Sequence, residues 1–146
     1  MLNIIPLQKE HIDSICEIEN ESFGDPWKKR FFLDLFDNPL AVCFTALYGT
    51  EVAGYLIAYH IYGEIQILNI AVKKNMRKKK VATELFGVIF DYAKSEDAEK
   101  FTLEVRPSNT SAVSLYKKLG FRVDGIRRNY YKKPQEDAVL MSLNLR

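Results

Sequence analysis

Apolar positions in this chain recur at every second residue in some stretches and at every third or fourth in others, and the changes of period mark out its elements. Leu2–Ile5 reads as a short strand closed by Pro6. Ile12, Ile15, Cys16 and, at its end, Glu19 fall on one helical stripe, which Gly24-Asp25-Pro26 breaks. Pro26-Trp27 leads into a second helix over Lys28–Asp37, carrying Phe31, Phe32, Leu35 and Phe36 and stopped by Asn38-Pro39. Ala41–Leu47 and Val52–Ile61 flank Gly49-Thr50 as the two arms of an antiparallel hairpin.

The stretch from Glu64 to Glu84 changes character twice, from strand to basic loop to helix. In its strand, Ile65 and Ile67 share one face while Leu68, Ile70 and Val72 share the other, so the alternation slips by one residue. A β-bulge near Leu68-Asn69 and a strand buried on both faces would each give this pattern. The helix that follows, Lys79–Ser95, carries apolar residues on two sides and is expected to be well buried. A strand joined to a helix by a loop with many free amides can seat a phosphate chain, because the amides and the positive end of the helix dipole both attract an anion.

Phe101, Leu103 and Val105 then alternate with Thr102, Glu104 and Arg106 in a strand that Pro107 ends. Ser108 or Asn109 caps a short helix with inner stripe Ala112, Leu115, Tyr116 and Leu119, closed by Gly120. Strands over Phe121–Tyr131 and Ala138–Leu145 flank the polar link Pro134-Gln135-Glu136-Asp137. The order is strand, two helices, three strands, helix, strand, helix, two strands. It predicts one α/β domain over residues 1–146, a mixed sheet with helices on its faces.

Composition narrows the class. With 47% hydrophobic and 27% charged residues among 146, the chain has the make-up of an ordinary soluble globular protein. No apolar run approaches the roughly 18 residues of a membrane span, and MLNIIPLQKEHI lacks the basic-then-apolar order of a signal peptide. The expected location is the cytoplasm, with Cys16 and Cys43 as buried reduced thiols. A net charge of +2 does not suggest DNA binding, yet Lys73, Lys74, Arg77, Lys78, Lys79 and Lys80 crowd into eight positions. That cluster asks for an explanation the total charge does not supply.

Several segments, in order and at matching separations, carry a resemblance. They are Asp25-Pro26-Trp27, Leu68-Asn69-Ile70-Ala71-Val72, Leu103-Glu104-Val105-Arg106, Asn109 with Ala112, Leu115-Tyr116, Leu119-Gly120-Phe121, Arg127-Arg128-Asn129-Tyr130-Tyr131 and Glu136-Asp137-Ala138. Through them the chain resembles, over essentially its whole length, the GNAT superfamily of acetyl-CoA-dependent N-acetyltransferases. It is most similar to the RimI-type branch, which acetylates the N-terminal alanine of small-subunit ribosomal protein number eighteen. The resemblance implies the GNAT fold, a mostly antiparallel sheet of about seven strands flanked by about four helices.

It also implies a site. Backbone groups of Ile70, Ala71 and Val72 would pair with the pantetheine arm of acetyl-CoA, amides of Arg77, Lys78, Lys79, Lys80, Val81 and Ala82 would hold its pyrophosphate, and Asn109 would add a contact. Glu104 would be the general base, directly or through a water, and Tyr116 the acid that protonates or hydrogen-bonds the departing thiolate. Trp27, Asn69, Arg128, Tyr130 and Tyr131 would face the acceptor, a protein N-terminus. No metal is implied. On pattern alone, Glu104 also reads as a solvent-facing side chain, Tyr116 as core, Asn109 as a plain cap, and Trp27 and the tyrosines as packing. Other acceptors, a broader set of N-termini or a small amine, fit the same residues, as does a degenerate domain that binds RNA through its basic loop.

One position departs from the family. Its loop reads R/Q-x-x-G-x-G/A, whereas here Arg77-Lys78-Lys79-Lys80-Val81-Ala82 puts lysine in place of the central glycine. In a left-handed backbone that lysine costs about 1–3 kcal/mol; within a first helical turn it costs almost nothing.

Overall fold

The computed structural model describes residues 1–146. The strands are β1 (Leu2–Pro6), β2 (Ala41–Tyr48), β3 (Glu51–Ile61), β4 (Glu64–Val72), β5 (Lys100–Val105), β6 (Arg122–Lys132) and β7 (Gln135–Asn144). The helices are α1 (Ile12–Ser22), α2 (Lys29–Asp34, continued by a 3-10 turn over Leu35–Asp37), α3 (Val81–Ser95) and α4 (Thr110–Lys118). All seven strands form one sheet in the order β1-β2-β3-β4-β5-β7-β6. Every neighbouring pair is antiparallel except β4 and β5. The expected mixed α/β fold is present. No helix is long and apolar enough to cross a membrane.

The sheet is covered on both faces, which is why the strand pattern looks apolar twice over. On one face α1 and α2 bury Ile12, Ile15, Ile18 and Phe32 against Tyr55, Ile57 and Ala71. On the other, Val81, Leu85, Phe86 and Ile89 of α3 and Tyr116 of α4 pack on Leu56, Ile65, Ile67, Phe101 and Leu103. Each large side chain buried this way contributes about 1.5–3 kcal/mol, so both helix layers are firmly held. Cys16 and Cys43 are free and half-buried, and burial pushes the Cys43 thiol up to about 11.

The phase slip in β4 is a bulge. Ile57 of β3 pairs with Asn69, yet Ala58 pairs with Ile67, so Leu68 has no partner and the strand carries one extra residue. The faces differ from the sequence expectation accordingly. Leu68 and Asn69 both turn toward α1, while Ile70 and Val72 rejoin Ile65 and Ile67 on the α3 side. Grouping Leu68 with Ile70 and Val72 is therefore corrected: the slip falls after Leu68, not before it.

Beyond the bulge the sheet opens. β4 and β5 are paired only from Glu64↔Lys100 to Ile67↔Leu103. β5 stays with β7 as far as Val105↔Val139, and β4 stays with β3 as far as Gly54↔Val72. A bulge bends its strand and raises the local twist, and here the two parallel neighbours part where the extra residue enters. Asn69–Val72 are left with a free edge on the β5 side.

α3 begins at the wide end of this opening. It starts at Val81, two residues later than its periodicity suggests, because Lys80 has φ 64° and ψ 21°, a left-handed conformation no right-handed helix can contain. Lys78 is left-handed too, at φ 65°. Of the two possibilities for the lysine in the glycine position, the structure shows the strained one. Gly54 sets the distance of this helix start: a Cβ there would lie 2.7 Å from the Ala71 carbonyl and 3.2 Å from Cγ1 of Val81.

The lysine strain predicts a gain on Lys80→Gly. Relief of about 1–3 kcal/mol outweighs the roughly 0.5–1 kcal/mol of extra chain entropy that glycine loses. The thermal midpoint is expected to rise by about 3 °C for each kcal/mol gained in a chain of this length. An unchanged or lower midpoint in a calorimetric scan would show that Lys80 sits there without strain.

Candidate active site

The cleft between the parted strands collects groups from four directions. Its floor is the open edge of β4 over Asn69–Val72, whose backbone N–H and C=O groups lack a strand partner on that side and need one from elsewhere. Its upper end is the start of α3. Lys80 caps that helix without a side-chain hydrogen bond, and the first-turn amides of an α-helix have no acceptor within it.

The basic cluster divides by role around this point. Lys73 is paired with Glu51 at 2.6 Å, the Lys74 amide donates to Glu21, and Arg77 Nε donates to the Val72 carbonyl at 3.2 Å. Lys78, Lys79 and Lys80 are exposed and have no acidic partner. Uncapped amides, a helix dipole and three unpaired cations at one place suit a phosphate group. The free strand edge and this anion seat fit the two chemically different parts of a pantetheine phosphate, one amide-like and one anionic.

Glu104 lies on β5 just past the last pairing with β4 and turns away from Leu103 and Val105, which are buried. Its side chain is 33% exposed and pairs with Arg127 of β6 at 3.4 Å. Tyr116 on α4 is buried among Phe86 and Phe121, with ring centroids 5.8 and 5.9 Å away. Burial, with the nearby Tyr131 adding to it, holds the Tyr116 hydroxyl well above its ordinary value, so it stays protonated through neutral pH. Asn109 does cap α4: its Oδ1 accepts from the Ala112 amide at 3.3 Å. That leaves its Nδ2 free to serve a ligand.

The far wall is the β6–β7 hairpin. Three residues, Arg128, Asn129 and Tyr130, stand opposite Asp137 alone, since Arg127 pairs with Ala138 and Tyr131 with Glu136. Asn129 takes a left-handed turn, and its amide donates to Asp137 Oδ1 at 2.8 Å. The bulge presents Tyr130, which is 42% exposed with the Arg127 guanidinium over its ring, and leaves Arg128 exposed. Tyr131 is half-buried under Arg106, whose guanidinium lies 4.2 Å from the ring centre. Burial and the charge of Glu104 push the Tyr131 hydroxyl up to about 12.

Trp27 packs inward. Its ring lies 4.0 Å from that of Phe31 and 5.7 Å from that of Phe32, and its amide donates to Glu19. Asn69 is also turned inside, with Nδ2 on Glu19 Oε1 at 2.7 Å. Neither side chain presents its polar atoms to the cleft as freely as Tyr130 does.

Four residues that sequence reasoning passed over organise the site. Arg106 donates to the carbonyls of Pro134 and Lys133 and pairs with Glu136, which in turn accepts from the amide and hydroxyl of Ser108. This clamps the hairpin tip to the loop before α4. A Cβ on Gly24 would lie 3.0 Å from the Lys133 carbonyl, so the loop between α1 and α2 touches the same tip. Arg127 holds Glu104, and Glu19 holds Trp27 and Asn69. Gly24, Arg106 and Arg127 stood in turn and matching segments with no role given to them, and Glu19 stood as an acidic residue on an apolar stripe.

Comparison with known proteins agrees with this fold. The model of the acetyltransferase (GNAT) family matches residues 12–121. The chain is 32% identical over 146 residues to the ribosomal protein bS18-alanine N-acetyltransferase of Salmonella typhimurium, covering 98% of this chain and 97% of that protein. It is 39% identical over 136 residues, 92% of this chain and 90% of the other, to a Bacillus subtilis protein named provisionally for the same activity. The crystal structure of the ribosomal-protein-S18-alanine N-acetyltransferase from Escherichia coli superposes with a TM-score of 0.91 at 28% identity, over 99% of this chain and 94% of that one. The chain belongs to the GNAT family of acetyltransferases and is an N-acetyltransferase.

Proposed function

We propose that this protein transfers acetyl from acetyl-CoA to the α-amine of a protein N-terminus, that of ribosomal protein bS18 with its terminal alanine. The observation that carries the reading is the parting of β4 and β5 after Ile67, which puts an open strand edge, an uncapped helix start and Glu104 around one cleft. The relatives named for this activity support the acceptor.

Acetyl-CoA, when bound, supplies an activated thioester. The remaining work falls to the chain. Backbone groups of Ile70, Ala71 and Val72 line up the pantetheine arm, and Lys78, Lys79, Lys80 and the amides of Val81 and Ala82 take the pyrophosphate. Glu104 accepts a proton from the incoming ammonium, directly or through water. An α-ammonium has a pKa of about 8, so roughly a tenth is already neutral at pH 7, against well under a thousandth for lysine near 10.4. A single carboxylate therefore suffices for an N-terminus but is a poor match for a lysine side chain.

Tyr116 faces the departing sulfur. Because burial holds its hydroxyl above the ordinary value near 10 and a thiol titrates near 8.5, complete proton transfer to sulfur is uphill, by about 1.4 kcal/mol for each unit of difference. Tyr116 thus acts chiefly as a hydrogen-bond donor that steadies negative charge on sulfur as the carbon–sulfur bond breaks. The contact of Gly24 with the hairpin tip joins the loop that carries Trp27 to the hairpin that carries Tyr130, the two parts read as the acceptor side.

Three outcomes test the reading. Incubation of the bS18 N-terminal peptide with acetyl-CoA and enzyme is expected to add one acetyl at the α-amine by mass spectrometry. Peptides beginning with Ser or Met and a polyamine are expected to react slowly, and a polyamine preferred over every peptide would overturn the proposal. Glu104→Gln and Tyr116→Phe are each expected to lower kcat by about 10²-fold or more while calorimetric acetyl-CoA binding stays nearly intact; wild-type turnover in both removes these roles. The pH profile of kcat/KM is expected to rise through about 8, where the acceptor amine loses its proton. The raised Tyr116 hydroxyl adds no falling limb as pH passes 10, and a fall there would show that it loses its proton near the ordinary tyrosine value.

A further inference from the structure

Glu19 is a carboxylate with 1% of its surface exposed and no cation in reach. Buried charges are ordinarily paired with an opposite charge, because removal from water is expensive. Here three neutral donors take that place. Oε1 accepts from the Tyr55 hydroxyl and from Asn69 Nδ2, and Oε2 accepts from the Trp27 amide. A carboxylate has enough lone pairs for all three, and hydrogen bonds to an ion are about twice as strong as neutral ones.

The donors belong to different parts of the site. Tyr55 is on β3 directly opposite Ala71, and Asn69 is the first residue past the unpaired Leu68, where β4 has left β5. Trp27 ends the loop whose Gly24 touches the hairpin tip. One oxygen thus holds the strand edge read above as the cofactor side, and the other holds the loop read as the acceptor side. An apolar residue at this position of α1 would leave the Tyr55 hydroxyl, Asn69 Nδ2 and the Trp27 amide without this acceptor, and it could not fix two backbone segments to a common point.

Resting on the acetyltransferase reading, we propose that Glu19 is a positioning residue that sets the acceptor loop and the bulged cofactor strand at a fixed distance from each other. Its two oxygens act on different substrates, so the effects separate. Glu19→Gln keeps an oxygen for Tyr55 and Asn69 but turns an N–H₂ toward the Trp27 N–H. The opposite flip would leave the Tyr55 proton without an acceptor. Asn69→Ala instead releases the strand and spares the loop.

The test is steady-state kinetics with the bS18 N-terminal peptide, alongside calorimetric titration with acetyl-CoA, on the full chain. For Glu19→Gln the peptide KM is expected to rise by about tenfold with acetyl-CoA affinity within about twofold, since a misplacement near 1 Å costs up to about 10²-fold. For Asn69→Ala the pattern is expected to reverse, with weaker acetyl-CoA binding and a smaller change in peptide KM. A purely structural role would reduce kcat with the folded fraction and leave both constants alone, and that result overturns the proposal. So does an equal shift in both constants for both variants. If Glu19→Gln does not fold, Asn69→Ala decides alone, and acetyl-CoA affinity equal to wild type overturns it. Wild-type enzyme on the same peptide is the control. Failure of wild type to acetylate it would refute the functional reading, whereas an active wild type with unaltered variants would refute only the role of Glu19.

Discussion

The site depends on one unpaired residue. Leu68 enters β4 without a partner on β3, and past it the only parallel ladder in the sheet comes to an end. Without the bulge, β4 and β5 would have no reason to separate, because each has matched neighbours along the rest of its length. A closed ladder would satisfy the backbone of Asn69–Val72 internally and leave nothing for a ligand to pair with. The bulge also shifts the faces, so that Asn69 turns to α1 where Glu19 can hold it. The defect in the strand and the polar contact that steadies it form one device.

The start of α3 shows a different balance. Glycine would adopt the left-handed turn at position 80 without strain, and lysine does so at a cost of about 1–3 kcal/mol. In exchange the loop carries a third unpaired cation beside Lys78 and Lys79. A hydrogen bond between charged groups contributes about 1.5–3 kcal/mol, so a lysine that meets a bound phosphate can offset the strain. Stability of the free protein and affinity for a phosphate are thereby set against each other at one residue.

Much of this was legible in the sequence, for a local reason in each case. Period two and period 3.6 located all seven strands and four helices, because both faces of the sheet are buried and the helices carry apolar stripes. The slip in β4 was visible as a lost alternation, but the same letters fit a bulge near Leu68-Asn69 and a strand buried on both faces. The register with β3 decides between them, and register is not a local property. Left-handed Lys80 was equally out of reach, since lysine gives no sign of φ where glycine would. Arg106, Arg127 and Gly24 act across gaps of about a hundred residues or between strands distant in sequence. Their partners exist only once the hairpin has folded back over the cleft. Glu19 was the exception, because an acid on an apolar stripe signals a buried acceptor even before its donors are known.

The pair formed by Arg127 and Glu104 raises the question of whether the free enzyme blocks its own base. The magnitudes say it does not. With side chains 54% and 33% exposed, at 3.4 Å and with solvent between their neighbours, the two are screened, and pairs of this kind contribute about 0.2–1 kcal/mol. An incoming ammonium that brings an N–H donor closer than 3.4 Å replaces Arg127 at little cost. What the arginine supplies in the meantime is direction. It draws the carboxylate toward β6 and the Tyr130 ring, the wall along which a peptide terminus has to arrive. Displaced, the guanidinium can remain over that ring. The base is thus held by a contact strong enough to orient it and weak enough to yield, which a buried, tightly bonded carboxylate such as Glu19 could not do.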